Sequence, residues 1–127
     1  MHFLVVEDQD VMRDSLCGFL QAGFPQARIL EAGTVARALE LCREHAPQLA
    51  LLDVHLPDGN GIELARRLKS CLPALAIVVV SYLTGQHYVD AAIAAGAHAY
   101  LPKDRLHAEL IGTAAQALAL AGHRSRP

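Results

Sequence analysis

Tryptophan is absent from this 127-residue chain, and its three cysteines, Cys17, Cys42 and Cys71, are an odd count with no C-x-x-C spacing. A disulfide framework is not expected, and a reduced, cytoplasmic compartment fits this usage best. Long hydrophobic runs are lacking as well. The longest purely apolar stretch, residues 74–80, falls far below the ~18 residues of a membrane span. Glu7 and Asp8 interrupt the N-terminus before any run of signal-peptide length. Neither membrane insertion nor secretion is expected. No sign of charge dominates: 11 Lys and Arg against 13 Asp and Glu leave a net charge of −2, which supplies no basic field for direct nucleic-acid contact. A glycine-rich phosphate loop and a dinucleotide fingerprint are missing, so nucleotide binding is not expected. The seven histidines show no paired metal-ligand spacing; Cys17 and Cys42 read as small core hydrophobes, and no activating base is nominated for a cysteine nucleophile.

What is present is a composition that can bury a core: 53% hydrophobic and 19% charged, in a length suited to one domain. Short runs rich in Val, Ile and Leu alternate with longer stretches of helical period, the mark of βαβ units around a parallel sheet. Strands are expected over 3–6, 28–31, 49–53, 76–80 and 99–101. The third and fourth are nearly continuous apolar runs, as central strands covered on both faces must be. Helical stripes follow the i, i+3, i+4, i+7 pattern at Val35, Ala38, Leu39 and Cys42, at Gly61, Leu64, Ala65 and Leu68, and at Val89, Ala92, Ile93 and Gly96. Thr34 is placed to cap the second helix, and Asn60 with Glu63 has the spacing of a capping box. The last helix is expected from about Arg105 to Leu120, giving a domain over 1–121 and a flexible tail or linker start over 122–127.

In an open parallel sheet, ligands bind beyond the carboxyl ends of the strands, where the strand order reverses. Following the strands in turn are Glu7 and Asp8, then Asp53, Ser81 and Lys103. If all five strands run parallel, three carboxylates, a hydroxyl and an ammonium converge on one edge. Carboxylates so placed repel unless a cation joins them, and oxygen donors without Cys or His spacing point to a hard ion, Mg²⁺. Such a site suits phosphoryl transfer to a carboxylate, and Asp53, on the central strand, is the natural acceptor.

These five residues, together with Asp53-Val54-His55-Leu56-Pro57-Asp58-Gly59-Asn60-Gly61 and Gly96-Ala97-His98-Ala99-Tyr100-Leu101-Pro102-Lys103, strongly resemble the receiver domain of two-component response regulators, over nearly the whole chain. The resemblance implies a flavodoxin-like (CheY-like) α/β fold, a doubly wound five-stranded parallel sheet of order 2-1-3-4-5 with five helices. It implies that Asp53 is phosphorylated by a histidine kinase or a phosphotransfer protein. It also implies that Asp8, Asp53 and the His55 main-chain carbonyl bind Mg²⁺, with Glu7 acting through a metal-bound water. Ser81 and Lys103 would hold phosphoryl oxygens, and Tyr100 matches the aromatic whose rotamer follows the hydroxyl of Ser81 in switching. His55, Tyr82 and Leu83 occupy positions that tune the lifetime of the phosphoryl group. A homodimer or target contact is expected on the fourth helix, fifth strand and fifth helix, a face carrying Val89, Tyr100 and Leu110. Asp104 after Lys103, where many relatives carry proline, resembles the LuxR-type (NarL-type) regulators, which end in a helix-turn-helix effector.

Blander roles stand beside these. Glu7, Asp8 and Asp10 also fit helix caps, Lys103 a solvated surface lysine, Ser81 a strand-closing hydroxyl, and Tyr100 a half-buried edge aromatic. A bulky Tyr82 either obstructs the site or, by strand alternation, points away from it. Two functional alternatives compete: a haloacid-dehalogenase-like phosphatase, whose Asp-x-Asp signature lacks its downstream partners here, and a degenerate receiver that only binds proteins.

Overall fold

The computed structural model describes residues 1–122. Five strands, β1 (His2–Val6), β2 (Arg28–Ala32), β3 (Leu49–Asp53), β4 (Ala76–Ser81) and β5 (Ala99–Pro102), alternate with helices α1 (Asp10–Gly23), α2 (Val35–His45), α3 (Gly61–Cys71), α4 (Gln86–Ala94) and α5 (Leu106–Leu120). All neighbouring strands pair in parallel, in the order β2-β1-β3-β4-β5. The expected fold is the observed one. Each strand runs within one residue of its expected bounds, and α5 is preceded by a 3₁₀ turn, Lys103–Arg105. Of the tail expected over 122–127, Gly122 alone is described; the remainder lies outside the described residues.

The two-residue period of the strands divides the core into two layers. Leu4, Val6, Ala50, Leu52, Ile77 and Val79 face α2, α3 and α4, where they meet Ala38, Leu41, Leu64 and Leu68. Phe3, Val5, Leu49, Leu51, Val78 and Val80 face α1 and α5, packing on Leu16, Leu20, Leu110 and Ala114. Every residue of β3 and β4 is buried, as their apolar runs require. Cys42 belongs to the first layer and Cys17 packs against the second; burial pushes their thiols up to about 11 and about 12, so both stay protonated. His98 is half-buried, and its Nδ1 accepts the Ile77 N–H at 3.2 Å rather than serving a metal.

Three details depart from expectation. The stripe on α4 is shallow: Ala92 is buried, but Ile93 stays 47% exposed, because α4 lies near the edge strand. Leu110, expected on an interaction face, is 1% exposed beneath α5 and unavailable to a partner. Asn60 does cap α3, accepting from the Ile62 and Glu63 N–H groups, but Glu63 turns outward to Arg66 and does not close the box.

Helix α2 has two caps. Thr34 Oγ1 accepts the Arg37 N–H at 3.1 Å. The Asp58 carboxylate, from the segment after β3, accepts the Val35 and Ala36 N–H groups at 2.7 and 3.0 Å. These donors hold the Asp58 carboxyl below the usual carboxylate range. Between β3 and α3 the chain folds into a small ribbon, His55 opposite Asn60 and Leu56 opposite Gly59. Gly61 begins α3 against the end of β3, where a Cβ would stand 1.8 Å from the Asp53 carbonyl oxygen. A side chain cannot be accommodated there without moving the strand end that carries Asp53. Gly61→Ala is therefore expected to cost about 3 kcal/mol, read by urea unfolding; an unchanged midpoint would show that the α3 start yields freely.

Candidate functional site

The reversal of strand order between β1 and β3 opens a crevice at the carboxyl edge of the sheet, and the predicted residues gather there. A cleft of about 240 Å³ is lined by Asp8, Gln9, Asp53, His55, Ser81, Tyr82, Leu83 and Lys103. Carboxylate oxygens of Glu7, Asp8 and Asp53 all lie within 4.8 Å of one another. Glu7 and Asp53 are buried and Asp8 is exposed at the rim. Among the described residues this is the one grouping of three such side chains with metal-ligand geometry.

Lys103 is delivered to the cluster by the turn that follows β5. Its Nζ donates to Glu7 Oε1 at 2.5 Å and sits 3.3 Å from Asp53 Oδ2, so it is not a solvated surface lysine. Burial alone would lower its pKa, but Glu7 and Asp53 outweigh that and raise it; Lys103 is an ammonium. Burial pushes the Glu7 carboxyl above its usual range, reinforced by Asp53 and opposed by Lys103 and by the Gln9 N–H, which Glu7 Oε2 accepts at 3.1 Å. With all groups ionised, three negative charges against one positive leave −2. Two unit charges ~5 Å apart at an effective dielectric of ~20 repel by about 3 kcal/mol, well beyond what an exposed ion pair returns. The donor set, all oxygen and doubly negative, fits a divalent hard cation.

Neither Asp8 nor Asp10 caps α1: its N-cap is Gln9, which makes no side-chain cap bond. Ser81 ends β4, and its Oγ accepts the Leu83 N–H at 3.0 Å, keeping its own O–H to donate. The Tyr100 hydroxyl donates to the Leu83 carbonyl at 2.7 Å, so one residue, Leu83, ties Ser81 to Tyr100. The chain turns directly after Ser81, bringing the Tyr82 ring back over the cleft with its centroid 5.3 Å from Lys103 Nζ. Strand alternation does not carry it away, although the ring remains 63% exposed.

Two supporting residues escaped the sequence reading. Arg13, on α1, donates to the Glu7 main-chain oxygen at 2.7 Å and also holds Asp10 and Glu31, fastening the acidic loop. Asp58 fastens the ribbon on the other side of the cleft. For Asp58 the only signal was the Pro57-Asp58-Gly59 run, which reads as turn chemistry; its partners lie more than twenty positions upstream.

The response regulator receiver domain family matches residues 3–115. The chain is 43% identical over 101 residues to the DNA-binding transcriptional activator DevR/DosR of Mycobacterium tuberculosis, covering 79% of the chain and 46% of that protein. To the transcriptional activator protein ExaE of Pseudomonas putida it is 34% identical over 123 residues, covering 97% and 56%. The chain thus spans about half the length of these relatives. Among solved structures it is similar to a CheY-like receiver domain protein from Methanospirillum hungatei, with TM-score 0.85, 25% identity and 94% coverage of each chain. It is also similar to the signal receiver domain of the response regulator NarL from Mycobacterium tuberculosis, with TM-score 0.82, 28% identity and 97% coverage of each.

The buried charge balance yields a pH-dependent expectation. Lys103→Met leaves Glu7 and Asp53 without their counter-ion and should cost about 3 kcal/mol at pH 7.5. The Glu7 carboxyl has a raised pKa in the folded state, so its charge is an adverse contribution that is absent below the ordinary carboxyl value and grows as pH rises through the raised one. The penalty of Lys103→Met should therefore shrink as pH falls toward 5. Urea unfolding across this range checks it, and a penalty independent of pH would show that repulsion is not its origin.

Proposed function

The chain belongs to the response regulator receiver domains of two-component systems, and from that premise we propose that Asp53 accepts a phosphoryl group from a partner histidine kinase or phosphotransfer protein. One observation carries the reading: three carboxylates within 4.8 Å and a buried ammonium 3.3 Å from Asp53 Oδ2, on the floor of an open cleft.

Receiver domains bind Mg²⁺ at an acidic pocket, and here Asp8, Asp53 and the His55 main-chain carbonyl would hold it, with Glu7 reaching it through water. When bound, the ion neutralises charge on the incoming phosphoryl oxygens. Asp53 attacks phosphorus in line with the phosphohistidine nitrogen; the N–P bond breaks, an O–P bond forms, and the released imidazole takes its proton from solvent. Lys103 moves the short distance from Asp53 Oδ2 to a phosphoryl oxygen, and Ser81 donates its O–H to another. Because Leu83 joins Ser81 to Tyr100, a shift of Ser81 toward the phosphoryl group alters what holds the Tyr100 ring, the bistable element such switching needs. The domain catalyses only its own phosphorylation and dephosphorylation.

The readout lies on the surface formed by α4, β5 and α5, where a phosphorylation-dependent homodimer would form. DevR/DosR, a DNA-binding transcriptional activator, and ExaE, a transcriptional activator, of which the chain spans about half, support an output region of helix-turn-helix type beyond this domain, which itself makes no direct nucleic-acid contact. Among the described residues no helix is long and apolar enough to cross a membrane. A cytoplasmic setting agrees with the three free thiols. The family match favours this reading over the haloacid-dehalogenase-like phosphatase and the degenerate binding module.

Two outcomes are expected. Incubated with a cognate kinase or acetyl phosphate, wild type should gain one phosphoryl group by intact mass only when Mg²⁺ is present. Asp53→Asn should gain none, and equal labelling of the two would sink the assignment. Tyr82→Ala should open the in-line path and speed both labelling by acetyl phosphate and spontaneous loss, several-fold, with Mg²⁺ affinity unchanged. Identical decay curves would leave the ring without a role in lifetime. Comparing His55→Ala between pH 6 and 8 isolates any contribution of that imidazole, and Leu83→Ala that of its side chain.

A further inference from the structure

We propose that Asp58 is a positioning residue for the metal side of this site: seated on the N-terminus of α2, its carboxylate fixes the ribbon that presents the His55 main-chain carbonyl. The inference rests on the reading of that carbonyl as a Mg²⁺ ligand.

A ladder of two residue pairs, His55 with Asn60 and Leu56 with Gly59, is too short to hold its own geometry in water. Its base is anchored where the Gly61 N–H donates to the Val54 carbonyl at 2.8 Å and Asn60 caps α3. Its tip, the Pro57-Asp58 turn, is anchored among the described residues by the two bonds that Asp58 accepts from the Val35 and Ala36 N–H groups. A bidentate carboxylate on two successive N–H groups fixes orientation as well as distance. The same contact brings the ribbon so close to α2 that a Cβ on Gly59 would lie 3.0 Å from Val35 Cγ2.

Thr34 caps α2 locally through the Arg37 N–H, and Asp58 takes the separate Val35 and Ala36 N–H groups. This second cap, supplied by the loop after β3, couples α2 to the segment that carries His55. Mg²⁺ tolerates little departure from octahedral geometry, so a carbonyl donor contributes only while it is held in place. Groups that orient metal ligands typically carry 10–100-fold in affinity. Coupling is reciprocal: if the α2 contact favours the metal, the metal must steady the α2 contact.

The test is calorimetric titration of Mg²⁺ into wild type, Asp58→Ala, Asp58→Asn and Thr34→Ala, with amide hydrogen exchange of Val35 and Ala36. Asp58→Ala should bind Mg²⁺ about 10-fold more weakly. Asp58→Asn, which keeps one acceptor oxygen, should fall between it and wild type. Thr34→Ala should melt earlier through loss of a cap yet keep wild-type Mg²⁺ affinity. In wild type, saturating Mg²⁺ should slow exchange at Val35 and Ala36, a readout that needs no variant to fold. The positioning role is overturned if Asp58→Ala binds Mg²⁺ as wild type does, if Thr34→Ala weakens binding equally, or if Mg²⁺ leaves both amides unmoved. Failure of wild type to bind Mg²⁺ at all overturns the metal reading itself, and this proposal with it.

Discussion

Electrostatic repulsion among Glu7, Asp8 and Asp53, answered among the described residues by the Lys103 ammonium and the Gln9 N–H, is the constraint on which the rest of the molecule turns. The sheet places these groups together because β1, β3 and β5 run in the same direction and end at one edge. The hydrophobic layers on both faces supply the rigidity that keeps them there. A small domain cannot carry such a concentration of like charge without a compensating device, and the excess of two negative charges defines what that device must be. The same excess that costs stability when the cleft holds only water favours a divalent cation.

Holding the charged groups in place requires fasteners outside the cluster. Arg13 pins the loop after β1 through the Glu7 carbonyl, Gly61 lets α3 press against the Asp53 carbonyl, and Asp58 ties the ribbon to α2. On the opposite wall the fastening runs through Leu83, whose N–H and carbonyl engage Ser81 and Tyr100. One wall is thus held by side chains reaching other segments, the other by a chain of hydrogen bonds through a single loop residue.

Much of this was legible in the sequence. Apolar runs at 49–53 and 76–80 announced buried central strands, and the residues following each strand nominated the site, because parallel strands leave their carboxyl ends together. The orientation of Tyr82 was not legible: it depended on whether the chain turned directly after Ser81. The burial of Leu110 and the exposure of Ile93 were missed because helical period locates a stripe but not how closely the helix approaches the sheet. Asp58 and Arg13 escaped because their partners are distant in sequence and a side chain reaching another segment's backbone leaves no periodic trace. Asn60 shows the same limit in miniature: its cap was foreseen, but Glu63 found a nearer partner in Arg66.

The central claim, that the cluster is a charge-frustrated divalent-ion site, is tested most directly by equilibrium urea unfolding of wild type and Asp8→Asn, without and with saturating Mg²⁺ at constant ionic strength. Asp8 lies at the exposed rim, so this substitution removes charge while sparing the core. Relief of repulsion should make the metal-free variant more stable than wild type, and Mg²⁺, by binding the native state, should stabilise wild type far more than the variant. A metal-free variant no more stable than wild type, together with wild-type unfolding that Mg²⁺ does not shift, would contradict it.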